Sequence, residues 1–227
     1  DLLAPVSPFF LPLPLIIHPP PTLNTGAGPA ELDTVVFDTF TATSGTFTAS
    51  SSNSDATLTF GISGGTNGNT VLGGVTYDVS QTGPYGTLYL NSGSGAYTFV
   101  PNSDAINALK APTTTSFIIT VADGSLLVSQ PFPITLNGVE DAALISGTTT
   151  GSAIAAGGVV NASPGTLIAT GTLTDTDPDD PPNTFTAIGS PAASKYGTFT
   201  MTTAGVWTYT LDKANSQVQA LHVGDSL

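Results

Sequence analysis

The sequence predicts an all-β protein made of two tandem β-sandwiches. Three observations carry that expectation: a composition rich in turn formers and poor in helix formers, runs in which threonine alternates with large apolar residues, and a set of motifs that occurs twice. The 227 residues include 25 Gly and 18 Pro but one Met, and Lys plus Arg total 3. Apolar residues make up 40% of the chain and mean hydropathy is +0.23, enough to build cores and to exclude a disordered chain.

The first stretch, Asp1 to Pro29, holds eight of the 18 prolines and reads as an extended leader. Within it Phe9, Phe10, Leu11, Leu13, Leu15, Ile16 and Ile17 form an apolar run. Pro12 and Pro14 interrupt it and it is too short for a membrane span of ~20 residues, so membrane insertion is not expected. Apolar side chains at that density are costly in water, so these residues are expected to bind a groove of this chain or of a neighbouring copy.

From Glu31 onward the alternation begins. Thr39–Ala42, Gly45–Thr48, Thr57–Phe60, Thr87–Leu90, Ala96–Val100, Ser116–Val121 and Phe132–Leu136 are the expected strands, each with one face wet and one buried. Gly64-Gly65, Asn67-Gly68, Gly73-Gly74, Asn91-Ser92-Gly93 and Asp123-Gly124 supply the turns between them.

The motifs then return at domain spacing. Tyr85-Gly86-Thr87-Leu88-Tyr89-Leu90 recurs as Tyr196-Gly197-Thr198-Phe199-Thr200-Met201, and Gly95-Ala96-Tyr97-Thr98-Phe99-Val100 as Gly205-Val206-Trp207-Thr208-Tyr209-Thr210. Asn107-Ala108-Leu109 matches Gln219-Ala220-Leu221, and Gly45-Thr46-Phe47-Thr48 corresponds loosely to Gly171-Thr172-Leu173-Thr174. The expected organisation is a leader over residues 1–30, a first sandwich over 31–141 and a second over 142–227. Counterparts of Phe117–Val121 and Phe132–Leu136 do not follow Leu221, so the second sandwich is expected to lack its final strands.

The second motif set, Gly171-Thr172-Leu173-Thr174-Asp175-Thr176-Asp177 with Tyr196-Gly197-Thr198-Phe199, Gly205-Val206-Trp207-Thr208-Tyr209-Thr210-Leu211-Asp212 and Val218-Gln219-Ala220-Leu221, resembles the VCBS repeat of large bacterial surface proteins. The first set resembles the looser cadherin-like repeats of the same proteins, with Tyr97 at the Trp position. The resemblance implies immunoglobulin-like or cadherin-like sandwiches used as tandem extracellular modules of adhesins, often in biofilms and often stiffened by calcium.

Charge narrows the chemistry. Sixteen acidic residues against three basic ones give a net charge of −13. Such a field excludes nucleic acid as a partner, offers no basic patch for anionic membranes, and attracts soluble cations. Asp175-Thr176-Asp177-Pro178-Asp179-Asp180 places carboxylates close together in a turn-forming loop, where hard oxygen ligands can converge on Ca²⁺. The EF-hand pattern fails there, because Asp180 and Thr186 fall where Gly and Glu are needed. Glu140 and Asp141 between the repeats, and Asp123 in its Asp-Gly turn, are the further candidate ligands. The competing reading of all these residues is that of solvated turn formers.

No catalytic residues are expected. His18 falls in the leader and His222 near the end of the chain, no nucleophile elbow or phosphate loop occurs, and without cysteine there is no thiol nucleophile or disulfide. Lys110, Lys195 and Lys213 read as solubilising surface residues, and Trp207, Tyr209, Tyr97 and Phe99 as core. The expected function is therefore non-enzymatic: an extracellular module that extends and stiffens a bacterial surface or secreted adhesin, with calcium, next to neighbouring repeats or copies of itself. The alternatives are a self-assembling filament subunit whose apolar leader completes a neighbour's open sandwich, and a glycan-binding accessory module.

Overall fold

The computed structural model describes residues 18–124, 126–157 and 163–227. The expected partner-binding residues Phe9 to Ile17 lie outside them. The described chain is all-β, with sixteen strands and two short helices, and none of its helices is long and apolar enough to cross a membrane. The described residues divide into two compact units, the first drawn from the ranges Asp1–Glu31, Phe40–Asn102 and Thr114–Thr135, the second from Leu32–Thr39, Ser103–Thr113 and Leu136–Leu227.

The first unit is a sandwich of two sheets. One has the order β3-β9-β8-β7-β6, formed by Thr43–Thr46, Ala96–Pro101, Gly86–Leu90, Val75–Gly83 and Thr66–Leu72. The other has the order β2-β11-β10-β5, formed by Ala30–Leu32, Leu127–Asn137, Thr113–Ala122 and Thr59–Ile62, and a small ribbon pairs β1 (Thr22–Asn24) with β4 (Thr48–Ser50). Alternate residues face inward as period two requires. Leu88, Leu90 and Phe99 from one sheet, and Ile119, Val121, Phe132 and Ile134 from the other, are fully buried. Phe132 meets Phe47 and Tyr97 edge-on, with ring centroids 4.9 and 5.0 Å away.

Several expected strands are placed differently. Thr39–Ala42 is irregular, and Gly45–Thr48 is split between β3 and β4 at Phe47. There the chain passes from pairing with β9 to pairing with β1, so Phe47 points into the core while its N–H donates to the Gly95 carbonyl at 2.9 Å. Asn67-Gly68 lies inside β6 at a register shift; the β6–β7 turn is Gly73-Gly74, where both residues have positive φ (57° and 83°), the primed-turn geometry that glycine favours.

The second unit contains one sheet among the described residues, β12-β13-β16-β15-β14, formed by Leu144–Gly147, Ile168–Thr176, Val206–Leu211, Gly197–Met201 and Ile188–Ala193. Helix α1 (Ser103–Asn107) and helix α2 (Ser216–Gln219) also belong to this unit. Asn215 caps α2, its Oδ1 accepting from the N–H groups of Gln217 and Val218.

The repeat holds at the level of the backbone. Gly45 pairs with Tyr97 and Gly171 with Trp207, and a Cβ on either glycine would lie within 2.7 Å of the partner's ring. Phe47 N–H donates to the Gly95 carbonyl, and Leu173 N–H to the Gly205 carbonyl, both at 2.9 Å. Gly95 and Gly205 share a left-handed conformation, φ 73° and 75°. The units differ in burial: Leu173, Phe199, Met201 and Tyr209 are half-buried where their counterparts in the first unit are enclosed. Trp207 is the buried exception, stacked on Phe199 and donating from Nε1 to the Thr148 carbonyl at 2.6 Å.

Candidate metal centre

Four segments of the second unit assemble an acidic centre, and backbone hydrogen bonds hold each in place. Asp33 N–H donates to the Asn137 carbonyl at 3.3 Å, and Ala142 N–H to the Val35 carbonyl at 3.0 Å, which fixes the segment after β2 along residues 137–142. That second segment packs on the turn after α1, where a Cβ on Gly138 would lie 2.6 Å from the Leu109 carbonyl and 2.9 Å from that of Ala111. The loop after β13 is tied in through Asp141, whose N–H donates to Asp179 Oδ2 at 2.9 Å. Asp177 N–H donates to Asn183 Oδ1 across the same loop.

Asn107, fully buried at the end of α1, ties the fourth segment to the first. Its Oδ1 accepts from Asp38 N–H at 2.6 Å, and its Nδ2 donates to the carbonyls of Asp38 and Ser103 at 2.9 and 2.6 Å. Asp38 in turn accepts from Thr34 N–H through Oδ2 at 2.7 Å.

The carboxylates these bonds bring together are buried out of proportion to their chemistry. Asp33 is 1% exposed, Asp141 5% and Asp179 6%. An ionised carboxylate is almost never buried to that degree without a compensating charge or donors. Asp33 Oδ2 accepts from Val139 N–H at 3.2 Å, and its Oδ1 has no partner. Both carboxylate oxygens of Asp141 are enclosed without a partner, as is one oxygen each of Asp175, Asp177 and Asp179.

Titration follows the same geometry. Desolvation, followed by the charges of Asp33, Asp179, Asp38 and Asp177, pushes the Asp141 carboxyl up from its ordinary value. Desolvation also raises Asp33, with Asp38 and Asp179 adding to it against the Val139 and Thr34 donors. Asp177 is raised first by the side chain of Asp179 lying within hydrogen-bonding reach. Two carboxylates are both acceptors, so only a shared proton or a cation makes that contact favourable.

The one ammonium in this centre among the described residues is Lys110, an expected solubiliser. It bridges Glu140, at 3.1 Å, and Asp180, and this pairing draws the Asp180 carboxyl below its ordinary value. Oxygen atoms of Glu140, Asp179 and Asp180 lie within 4.8 Å of one another.

Of the ligands expected from the sequence, Asp177, Asp179, Asp180, Glu140 and Asp141 therefore share one centre. Asp175 lies on β13 opposite Ile145, at the entry to the loop. Asp123 belongs to the first unit, where its Oδ1 accepts from Leu126 N–H at 3.0 Å and its Oδ2 from the Ser51 hydroxyl at 3.1 Å, the bonding of a turn-closing aspartate. Sequence reasoning missed Asp33, Asp38 and Asn107. The signal for Asp33 is an inverted alternation: Glu31 and Asp33 are buried while Leu32 between them is 70% exposed.

The donor set suits a hard cation. It consists of carboxylate oxygens from separate segments with no thiolate or imidazole, the chemistry of calcium. No known family matches the chain, and no curated protein does either. Among solved structures, the chain is similar to human Protocadherin-24 EC1-2 at 12% identity and a TM-score of 0.32, over 88% of this chain and 82% of that one.

Proposed function

We propose that the chain is a calcium-stiffened structural module of an extracellular adhesive protein, non-enzymatic, and that the acidic centre of its second unit is the calcium site. The observation that carries this reading is the set of enclosed, unpartnered carboxylate oxygens on Asp33, Asp141, Asp177 and Asp179. A cation there supplies the missing electrostatic partner and cross-links the segment after β2, residues 137–142 and the loop after β13. Glu140, Asp180 and Asp175 lie at the margin of this centre. The tandem sandwich repeat and its resemblance to VCBS and cadherin-like modules of bacterial surface adhesins belong to the same reading.

The mechanism is linkage. A cation that binds only the folded centre stabilises it by RT ln(1 + [L]/Kd), about 2.7 kcal/mol at a hundredfold excess over Kd, and removes the mutual repulsion of the carboxylates. Thermal unfolding in millimolar calcium against excess chelator tests this. The reading requires a rise of several degrees in the transition of the second unit. Identical transitions in the two conditions would rule it out.

The half-buried inner face of the second unit's sheet, with Phe199, Tyr209 and Leu211, favours one further reading: a self-associating subunit in which a neighbour's Phe9–Ile17 segment covers that face. Deletion of residues 1–22 would then abolish assemblies seen by light scattering. Unchanged assemblies would exclude it.

A further inference from the structure

The acidic centre contains two kinds of carboxylate, and Lys110 separates them. Asp33 and Asp141 are enclosed and have no cationic partner, whereas Glu140 and Asp180 at the margin are bridged by the Lys110 ammonium. Asp179 lies between the two sets: Lys110 does not reach it, its Oδ2 accepts the Asp141 N–H, and its buried Oδ1 has no partner. The oxygens of Glu140, Asp179 and Asp180 lie within 4.8 Å of one another. Ligands bound to one calcium ion at ~2.3–2.6 Å are separated by no more than about twice that distance, so the trio already has the span of a cation site.

Lys110 does not fill that site completely. It reaches two of the three carboxylates, and its single charge leaves the buried Asp179 oxygen without a partner. Nor does folding stability explain its position. Its side chain is 43% exposed, and ion pairs at that exposure contribute little. With three basic residues in the whole chain, an ammonium placed among converging carboxylates is a specific feature.

We infer that Lys110 is a tethered counter-ion that occupies a second divalent-cation position, formed by Glu140, Asp179 and Asp180, and so limits the number of calcium ions the centre holds. The inference rests on the calcium reading of the enclosed carboxylates. Its substrate class is a hard divalent cation, and removal of the ammonium opens the position. A flexible four-carbon stem makes Lys a compact internal cation here; Arg at the same place keeps the charge and the block.

The test counts calcium bound per full-length chain after equilibrium dialysis against calcium chloride, with circular dichroism confirming the fold of each variant. Lys110→Met binds one ion more than the wild type, Lys110→Arg binds the same number as the wild type, and the double variant Lys110→Met with Glu140→Gln loses the added ion. Equal stoichiometry in folded Lys110→Met and wild type overturns the inference. So does a loss of one ion on Glu140→Gln in the otherwise wild-type chain, because calcium would then already sit on the trio; this second arm does not depend on Lys110→Met folding. The two readings fail separately. A wild type that binds no calcium beside a Lys110→Met chain that binds one overturns the calcium assignment of the enclosed carboxylates and keeps the role of Lys110; no calcium on either overturns both.

Discussion

The backbone N–H of Asp141 donates to Oδ2 of Asp179 across 38 residues of sequence, which holds two carboxylates side by side in a place that water barely reaches. The bond satisfies one oxygen of Asp179 and none of Asp141. Burial of that charge has a cost that nothing else among the described groups offsets, and a bound cation removes it.

Asp141→Asn follows directly. The bond to Asp179 comes from the main chain, and the Asp141 carboxylate itself has no donor to lose. The substitution is expected to abolish the calcium-dependent rise in Tm, about 2.7 kcal/mol at a hundredfold excess over Kd, while the Tm in chelator stays level or rises. Calorimetric unfolding of the variant in both conditions checks this, and a Tm in chelator well below that of the wild type would show the carboxylate to be structural by itself.

The pH dependence has a defined sign. Asp33, Asp141 and Asp177 have carboxyl groups raised above their ordinary values, so the folded state holds their protons to higher pH than the unfolded state does. Their contribution to stability is present when they are protonated and is lost as pH rises from the ordinary carboxylate range through the raised values. Asp180, lowered by Lys110, acts in the opposite sense: its contribution is present above its unfolded value and fades as pH falls below the ordinary range. In chelator the Tm of the second unit is expected to fall as pH rises above the ordinary carboxylate range of about 4, and saturating calcium is expected to cancel the fall. A series of melts that extends both below and above that range reads both limbs.

Asn107→Ala removes three bonds in one step, one accepted from Asp38 N–H and two donated to carbonyls. The side chain is fully buried, so the loss is expected to cost about 2–4 kcal/mol and to weaken calcium binding by loosening the segment that carries Asp33. Titration of calcium into the variant separates the two effects. An unchanged Kd would show that the clamp on Asp38 does not position Asp33.

Trp207→Ala should unfold the second unit without touching the acidic centre's ligands. The ring stacks on Phe199, faces Gly171 and donates to Thr148, and its truncation is expected to cost about 3–5 kcal/mol. Amide hydrogen exchange locates the loss: β13 and β16 should lose protection while β8 and β9 of the first unit keep theirs.

How far the sequence revealed this varies by element. The paired motifs around Tyr97 and Trp207 were legible because each imposes a local rule, a glycine opposite a large ring and a left-handed glycine before it, that both repeats obey. Strands β6 and β7 were not, because Asn67-Gly68 reads as a turn and the structure absorbs it in a register shift. The loop from Asp177 to Asp180 could be found from its density of carboxylates alone. Asp33 could not, since the pattern that buries it, with Leu32 turned outward, is the reverse of what apolar burial dictates. Asp123 was picked out by its charge, and the Ser51 and Leu126 donors explain its burial within the first unit.

The most direct measurement is a calorimetric titration of calcium into the chelator-stripped full-length chain at neutral pH, with Asp141→Asn in parallel. A calcium site at the enclosed carboxylates requires saturable binding to the wild type, and a loss or at least tenfold weakening of it in the variant. Absence of saturable binding to the wild type, or equal affinity in the two chains, would contradict the assignment of the enclosed carboxylates to a calcium site.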